Sequence, residues 1–165
     1  MELNNLWGGL KRIANGDYVL DGDLICDGNI EINLDDRLVV RGNVRVDGSI
    51  IVNKTLISNG GIKAGGGIKA GEGIKAGEGI EAGWGIEAGE GIKAKTFINV
   101  AKRIFAGISV YRTSANCEKT IQCAELQRGE VCYGELVIKT PEVVMTVAEI
   151  ESALGIKNLK IVERK

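Results

Sequence analysis

The middle of the chain alternates apolar and polar positions with a hexad period. Six near-copies of the unit Ile-x-Ala-Gly-x-Gly fill residues 60–95. Isoleucine and alanine are separated by one position, so they face one side of a strand, and the lysine or glutamate between them faces the other. Each unit therefore predicts a very short strand and a corner, and parallel stacking of such units makes a β-solenoid. The predicted core ladder consists of Ile62, Ile68, Ile74, Ile80, Ile86, Ile92, Ala64, Ala70, Ala76, Ala82, Ala88 and Ala94.

Glycine closes each predicted unit. The corner is Gly-x-Gly in the repeat, as in residues 71–73, and an Asp-Gly or Gly-Asn pair further upstream, as in Asp27-Gly28 and Gly42-Asn43. Such pairs are strong turn signals. Because glycine reaches the positive φ angles that sharp bends need, we expect the repeat corners to adopt that conformation.

The same register extends in both directions from the repeat. Mostly aliphatic residues occupy the two inward positions from Tyr18 onward and again up to Ala106, with one longer unit at 30–37. About fifteen units lie between Tyr18 and Ser109. Three units per turn would give triangular coils of about 18 residues, and two would give flat coils of about 12 residues. Because fifteen divides evenly by three, we expect the triangular coil, with five turns.

Outward charges do not decide between the two coil sizes. With three hexads per coil, Lys63 stacks on Glu81, but Lys75 meets Lys93. With two hexads per coil, Lys75 meets Glu87, but Lys63 meets Lys75. Stacked opposite charges contribute only about 0.2–1 kcal/mol per pair, so both registers stay open on this criterion.

Residues 1–16 depart from the hexad pattern. Leu3, Leu6, Leu10 and Ile13 recur at helical spacing, and Asn15-Gly16 would end a helix. We expect residues 1–16 to form a cap over the first turn, since solenoids need one, with a docking peptide for a partner as the alternative.

The pattern also fades towards the C-terminus. Ile121–Cys123 and Glu135–Ile138 predict strands, and the capping box that begins at Thr146 predicts a helix that ends at Gly155. The expected organisation is therefore an all-β parallel β-helix with a small C-terminal α+β cap. Its segments are the N-terminal cap 1–16, the β-helix 17–112 and the cap or module 113–165.

Composition and charge narrow the possible functions. The 165 residues carry a net charge of −1, which gives no electrostatic case for binding nucleic acid. No apolar run is long enough for a membrane span, and the first residues lack the pattern of a secretory signal. With four cysteines and no such signal, we expect a cytoplasmic protein with reduced thiols.

Two motifs are typical of enzymes, but the residues around them do not support an enzymatic site. Gly71–Ala76 matches the dinucleotide fingerprint, but the match recurs by periodicity and lacks a following helix. Hexad repeats also resemble those of the left-handed β-helix acyltransferases, which use histidine as general base, and this chain has no histidine. We therefore expect no enzyme, no cofactor and no catalytic, cofactor-binding or metal-binding residue.

The cysteines give no clear site. Cys117, Cys123 and Cys132 lack the paired spacing of a zinc site, so we expect semi-buried thiols. A disulfide and an intersubunit metal remain alternatives. Cys26 occupies an inward position and is predicted to lie in the core.

Trp84 and Trp7 are the candidate interaction residues. Trp84 occupies a corner position that holds glutamate in sister units. An outward tryptophan either stacks over Gly66 in the preceding turn or marks a contact site for a second molecule.

The aliphatic-x-small hexads with Gly or Asp-Gly corners over Tyr18–Ser109 resemble the bactofilins. These are bacterial cytoskeletal β-helices that polymerise without nucleotide. Glycine-rich hexad runs also look like parts of phage and mobile-element proteins. The resemblance implies a right-handed helix and a scaffolding role.

We thus predict a non-enzymatic structural protein that forms homo-oligomers or displays an interaction surface on its solenoid. In the alternative, residues 113–165 form a module of phage or mobile-element origin that recognises a protein or a glycan. No nucleic acid is expected as a partner in either case.

Overall fold

The computed structural model describes residues 1–4, 9–109 and 118–139. These residues form an all-β fold without helices, in which parallel strands stack into a β-solenoid of about six turns. The strands in chain order are β1 (Glu2–Asn4), β2 (Lys11–Arg12), β3 (Tyr18–Leu20), β4 (Leu24–Cys26), β5 (Ile30–Asn33), β6 (Leu38–Val40), β7 (Val44–Val46), β8 (Ile50–Val52), β9 (Leu56–Ser58), β10 (Ile62–Ala64), β11 (Ile68–Ala70), β12 (Ile74–Ala76), β13 (Ile80–Ala82), β14 (Ile86–Ala88), β15 (Ile92–Ala94), β16 (Phe97–Ala106), β17 (Thr120–Cys123), β18 (Glu125–Tyr133) and β19 (Glu135–Ile138).

From β3 to β15 every third strand belongs to the same face, which confirms the triangular coil. Face 1 stacks β3, β6, β9, β12, β15, β17 and β19. Face 2 stacks β4, β7, β10 and β13, and face 3 stacks β1, β5, β8, β11 and β14. β16 and β18 each bend round the corner and contribute to both faces 2 and 3. Ile62 pairs with Ile80, three hexads further on, so the flat coil of two hexads is wrong.

All twelve residues of the predicted core ladder lie in the interior. Their exposed fractions are between 0% and 5%. Within the strands of the repeat the middle side chain points outward and its neighbours point inward, as the strand period requires. Two of the stacked charge pairs form, Lys63 with Glu81 at 2.9 Å and Lys69 with Glu87 at 3.0 Å.

The repeat corners need glycine for a reason other than the predicted one. In residues 60–95, all of which the structure describes, no glycine has a positive φ, so that expectation is wrong. The first glycine of each corner instead lies against the backbone of the preceding turn. An added Cβ would overlap the carbonyl oxygen of Asp47 at Gly65 and that of Asn59 at Gly77. Glycine is required because the two chains approach too closely for a side chain.

Side chains support the corners of the earlier turns. Oδ1 of Asp23 accepts a hydrogen bond from the N–H of Asn43 at 2.7 Å. Oδ1 of Asn43 in turn accepts one from the N–H of Gly61 at 2.9 Å. This relay ends at Gly61 because glycine has no side chain to continue it.

The longer unit at 30–37 is accommodated by one asparagine. Its extra residues lengthen the first turn, so that Tyr18 pairs with Leu38. Asn53 receives a hydrogen bond from the N–H of Leu34 at 3.0 Å and donates one to its carbonyl at 2.8 Å. The insertion therefore keeps its backbone groups satisfied, and the Leu34 side chain stays buried.

The N-terminal segment is built from strands, so the predicted amphipathic helix is wrong among the described residues. β2 pairs antiparallel with β3, and Gly16 turns the chain between them with a φ of 96°. Leu10 packs against the core, but Ile13 is 43% exposed. Strands form here because the open edge of the first turn offers unpaired backbone groups that a helix could not satisfy.

These strands cover two of the three N-terminal edges of the solenoid. β2 covers the edge of face 1 at β3, and β1 covers the edge of face 3 at β5. β4, at the start of face 2, pairs with β7 and has no second neighbour among the described strands. The segment thus acts on the strand edges rather than as a helical lid.

The solenoid continues beyond the boundary predicted at residue 112. Ile121 pairs with Ile92, and Leu136 pairs with Ile121, so β17 and β19 extend face 1 in parallel. Ile121 and Cys123 lengthen the buried column because their side chains are 0% and 1% exposed. Residues 120–138 therefore belong to the stack, and the predicted helix starting at Thr146 lies outside the described residues.

Candidate interaction surface

Face 3 carries a continuous row of outward side chains, one from each turn. Strand pairing places them in the order Glu31, Ile51, Lys69, Glu87, Phe105 and Tyr133. Ile51 and Tyr133 are 46% and 48% exposed, and Phe105 is half-buried. Apolar residues at outward positions normally have no packing role, so this row is a candidate for contact with another molecule.

A second column runs along the corner between faces 2 and 3. Gly48, Gly66, Trp84 and Lys102 follow one another in successive turns, linked by backbone hydrogen bonds of 2.9, 3.2 and 2.8 Å. Trp84 is 64% exposed, and Nζ of Lys102 lies 4.5 Å from the centroid of its ring. The ring therefore contacts a cation from the following turn and remains largely accessible to solvent.

An open groove lies between this corner and the row. Its volume is about 940 Å³, and its lining includes Ile51, Lys69, Trp84, Glu87 and Phe105. It combines apolar rings with charges of both signs. A second groove, of about 870 Å³, lies on face 2 beside the Phe97 ring, which covers the Gly79 corner.

The charges of face 3 are largely balanced within the chain. Lys69 pairs with Glu87 at 3.0 Å, and Arg103 lies 4.0 Å from Glu130. In the described ranges no three potential metal ligands cluster. The carboxyl group with a lowered pKa, Asp21, accepts a hydrogen bond from Lys11 at the N-terminal end of the solenoid. The groove therefore presents charges that are already paired within the chain.

The described cysteines are free thiols in three different environments. Cys26 is half-buried and packs against the core, Cys123 is buried and Cys132 is exposed. Burial raises the pKa of the Cys123 thiol. Cys117 lies outside the described residues, so the predicted alternatives that involve it stay predictions.

Alkylation should distinguish the two C-terminal thiols. In the native protein we expect iodoacetamide to modify Cys132 at least about tenfold faster than Cys123, because reaction needs an accessible thiolate. Peptide mapping by mass spectrometry over a time course measures both rates, and urea-unfolded protein is the control in which they should converge. Equal rates in the native protein would contradict the burial of Cys123.

The structure places one of the two predicted interaction residues on this surface. Trp84 borders the groove, and Trp7 lies outside the described residues. The sequence interpretation missed Ile51, Phe105 and Tyr133. A signal was present for Ile51 and Phe105, because they occupy outward positions that hold lysine or glutamate in a neighbouring turn.

Comparisons with protein-family models, with curated proteins and with solved structures found no match. The resemblance to bactofilins therefore stays a prediction, and the role of the surface has to be argued from its own geometry. Across the described residues, no helix has the length and apolar character needed to cross a membrane.

Proposed function

We propose that this protein is a non-enzymatic structural protein that self-associates through an outer face of its solenoid. The observation that carries the proposal is the set of outward apolar side chains on face 3, Ile51, Phe105 and Tyr133, beside the accessible ring of Trp84. Outward apolar side chains cost solubility without helping the fold, so their simplest physical use is contact with another molecule.

The packed interior supports a role outside the solenoid rather than within it. Aliphatic side chains fill the core from Leu24 to Ile121, and the strand positions Ile50, Ile80 and Ile104 are each 0% exposed. In the part of the solenoid that the structure describes, such a core leaves no internal chamber for a substrate. Chemistry would have to occur on an open face, where water screens the charges.

The N-terminal end supports a face rather than a coil end as the main contact. Unpaired strand edges invite end-to-end pairing, but β1 and β2 cover the edges of faces 3 and 1. An antiparallel strand such as β2 also interrupts the parallel stacking that a second copy would continue. Among the described strands at this end, only β4 would offer an open edge for the end-to-end pairing of a second copy.

Sedimentation velocity of the full chain tests the proposal. We expect the mean sedimentation coefficient to rise with protein concentration and to reach that of a small oligomer. Raising the salt concentration should weaken association without abolishing it, because both apolar contacts and charges take part. A coefficient that stays at the monomer value up to the solubility limit would contradict the proposal.

Recognition of a protein or glycan by residues 113–165 stays a prediction. The last described strand supports it, because Leu136 and Ile138 continue the inward column above Ile121 and Cys123 and are still 39% and 49% exposed. A pull-down with the full chain and with a Leu136→Asp variant would favour this alternative if only the full chain captured a partner.

A further inference from the structure

The outward row of face 3 is self-complementary about its midpoint. In order it holds acid, aliphatic and cation, then acid and two aromatic residues, with the midpoint between Lys69 and Glu87. A two-fold axis along the strand direction at that midpoint reverses the row of a second copy. We number the turns along this row, from the turn of Glu31 as the first to the turn of Tyr133 as the sixth. The third turn of one copy then faces the fourth turn of the other, the second faces the fifth, and the first faces the sixth.

This arrangement matches the outward side chains by chemistry. Lys69 faces Glu87 of the second copy, and the symmetry repeats that contact. Ile51 faces Phe105 of the second copy, which joins two apolar side chains. Glu31 faces Tyr133 of the second copy, whose hydroxyl can donate a hydrogen bond to the carboxylate.

The corner column is complementary in size under the same axis. An axis along the strands keeps their direction, so the corner of one copy faces the same corner of the other. Trp84 then faces Gly66 of the second copy, and Lys102 faces Gly48. The two indoles then lie at the levels of neighbouring turns, about 4.8 Å apart along the solenoid.

We propose that a second copy of this chain docks antiparallel on face 3, forming a symmetric dimer centred between Lys69 and Glu87. The inference rests on the self-association proposed above and specifies its surface and orientation. Each contact occurs twice, as the two-fold symmetry of such an interface requires.

The other faces do not offer the same match. On face 1, Lys75 lies next to Lys93, so an axis between them would bring lysines together. On face 2, an axis between Lys63 and Glu81 would place Arg45 against Asn99. A parallel pair on face 3 would place Lys69 against its own copy. Charge therefore disfavours face 1 and the parallel pair, and the apolar contact of Ile51 with Phe105 distinguishes face 3 from face 2.

The interface is small. Its six matched strands span five spacings of about 4.8 Å, so the contact is about 24 Å long. A face of that length and one short strand wide lies at the low end of the sizes of specific interfaces. We therefore expect a reversible dimer that forms at high protein concentration.

Charge reversal tests the orientation. We expect Lys69→Glu to weaken dimerisation at least about tenfold, because it places like charges together at two symmetric contacts. The double variant Lys69→Glu with Glu87→Lys should restore the dissociation constant to within about threefold, since both ion pairs are re-formed. Sedimentation velocity across a concentration series measures all three constants.

Face 2 provides the matched control. Lys63 and Glu81 form the same ion pair within the chain, at 2.9 Å, one strand away round the corner. Lys63→Glu should therefore disturb the fold as much as Lys69→Glu but leave dimerisation unchanged. Circular dichroism of each variant verifies that the solenoid is intact.

Cross-linking between isotopically labelled and unlabelled chains tests the contact directly. A zero-length carbodiimide should join Lys69 of one copy to Glu87 of the other, giving mixed-isotope peptides in mass spectrometry. If the wild-type chain self-associates but Lys69→Glu acts like Lys63→Glu, or no mixed 69–87 peptide forms, the inference on face 3 fails while the proposed function stands. If the wild-type chain remains monomeric, both fail.

Discussion

Replacing Gly77 by alanine should destabilise the solenoid by about 3 kcal/mol, a cost in the upper range for overpacking. The new Cβ would overlap the backbone carbonyl of Asn59 in the preceding turn. A backbone atom cannot rotate away as a side chain can, so the two turns have to separate. That separation weakens the hydrogen bond from the N–H of Gly77 to the carbonyl of Ser58, now 2.9 Å long. Urea unfolding followed by circular dichroism measures the change.

Gly61→Ala is the matched control for that substitution. At Gly61 the new Cβ would lie 3.4 Å from its nearest neighbour, the carbonyl oxygen of Gly79, which is an ordinary contact. Both variants remove the same conformational freedom from the unfolded chain, a gain of about 0.4–1 kcal/mol. Gly61→Ala should therefore be neutral or slightly stabilising. Equal effects of the two substitutions would show that the corners are not limited by close approach.

The repeat region shows which properties of this fold can be predicted from sequence. The spacing of Ile62 and Ala64 determines which side chains are buried, because a strand alternates with a period of two. The division of fifteen units by three predicted the triangular coil, although the stacking of charges at Lys63 and Lys75 favoured neither coil size. Both are properties of a regular pattern, and regular patterns are visible without coordinates.

The corners show why a correct prediction can rest on the wrong cause. Glycine was expected there for its positive φ, but Gly77 is needed because the turn beneath it lies so close. The distance between turns depends on how the coils stack, which involves residues a whole coil apart. A local rule about glycine carries no information on that distance.

The chain ends were harder to predict because their structure depends on what the solenoid leaves open. Leu3, Leu6 and Leu10 fit a helical spacing, yet the segment supplies strands β1 and β2 to two unpaired edges. Ile121 was predicted to lie in a strand, but its place in the same stack depends on a long insertion before it. Its partner Ile92 lies further back along the chain than one regular coil, and a periodic search does not follow such a jump.

The candidate surface was only partly predictable for the same reason. Trp84 stood out because the same corner position holds glutamate in the hexads before and after it in the sequence. Ile51, Phe105 and Tyr133 belong to one row only when their turns are stacked, since three turns separate Ile51 from Phe105 and an irregular turn follows. The surface therefore emerges from the fold, although each residue was visible as an exception to the hexad.

Replacing Ile80 by alanine should cost about 3 kcal/mol, within the range for large-to-small changes in a rigid core. Ile80 is 0% exposed and lies in a column between Ile62 and Ile98 of the adjacent turns. Alanine leaves a cavity that the ladder prevents from closing, since each backbone hydrogen bond fixes the distance between turns. Because each turn contacts only its neighbours, the cavity also weakens the coupling between the two halves of the solenoid.

Ile25→Ala separates the loss of the core contact from the loss of a β-branched residue. Ile25 occupies the middle of a short strand but points outward and is 62% exposed, so its truncation should change stability by less than about 0.5 kcal/mol. Urea unfolding of both variants gives the difference, and the slope of the transition reports whether the halves still unfold together. A broadened transition for Ile80→Ala alone would support neighbour-limited cooperativity. Equal midpoints for the two variants would mean that Ile80 does not pack as described, and the stacked interior would lose its main support.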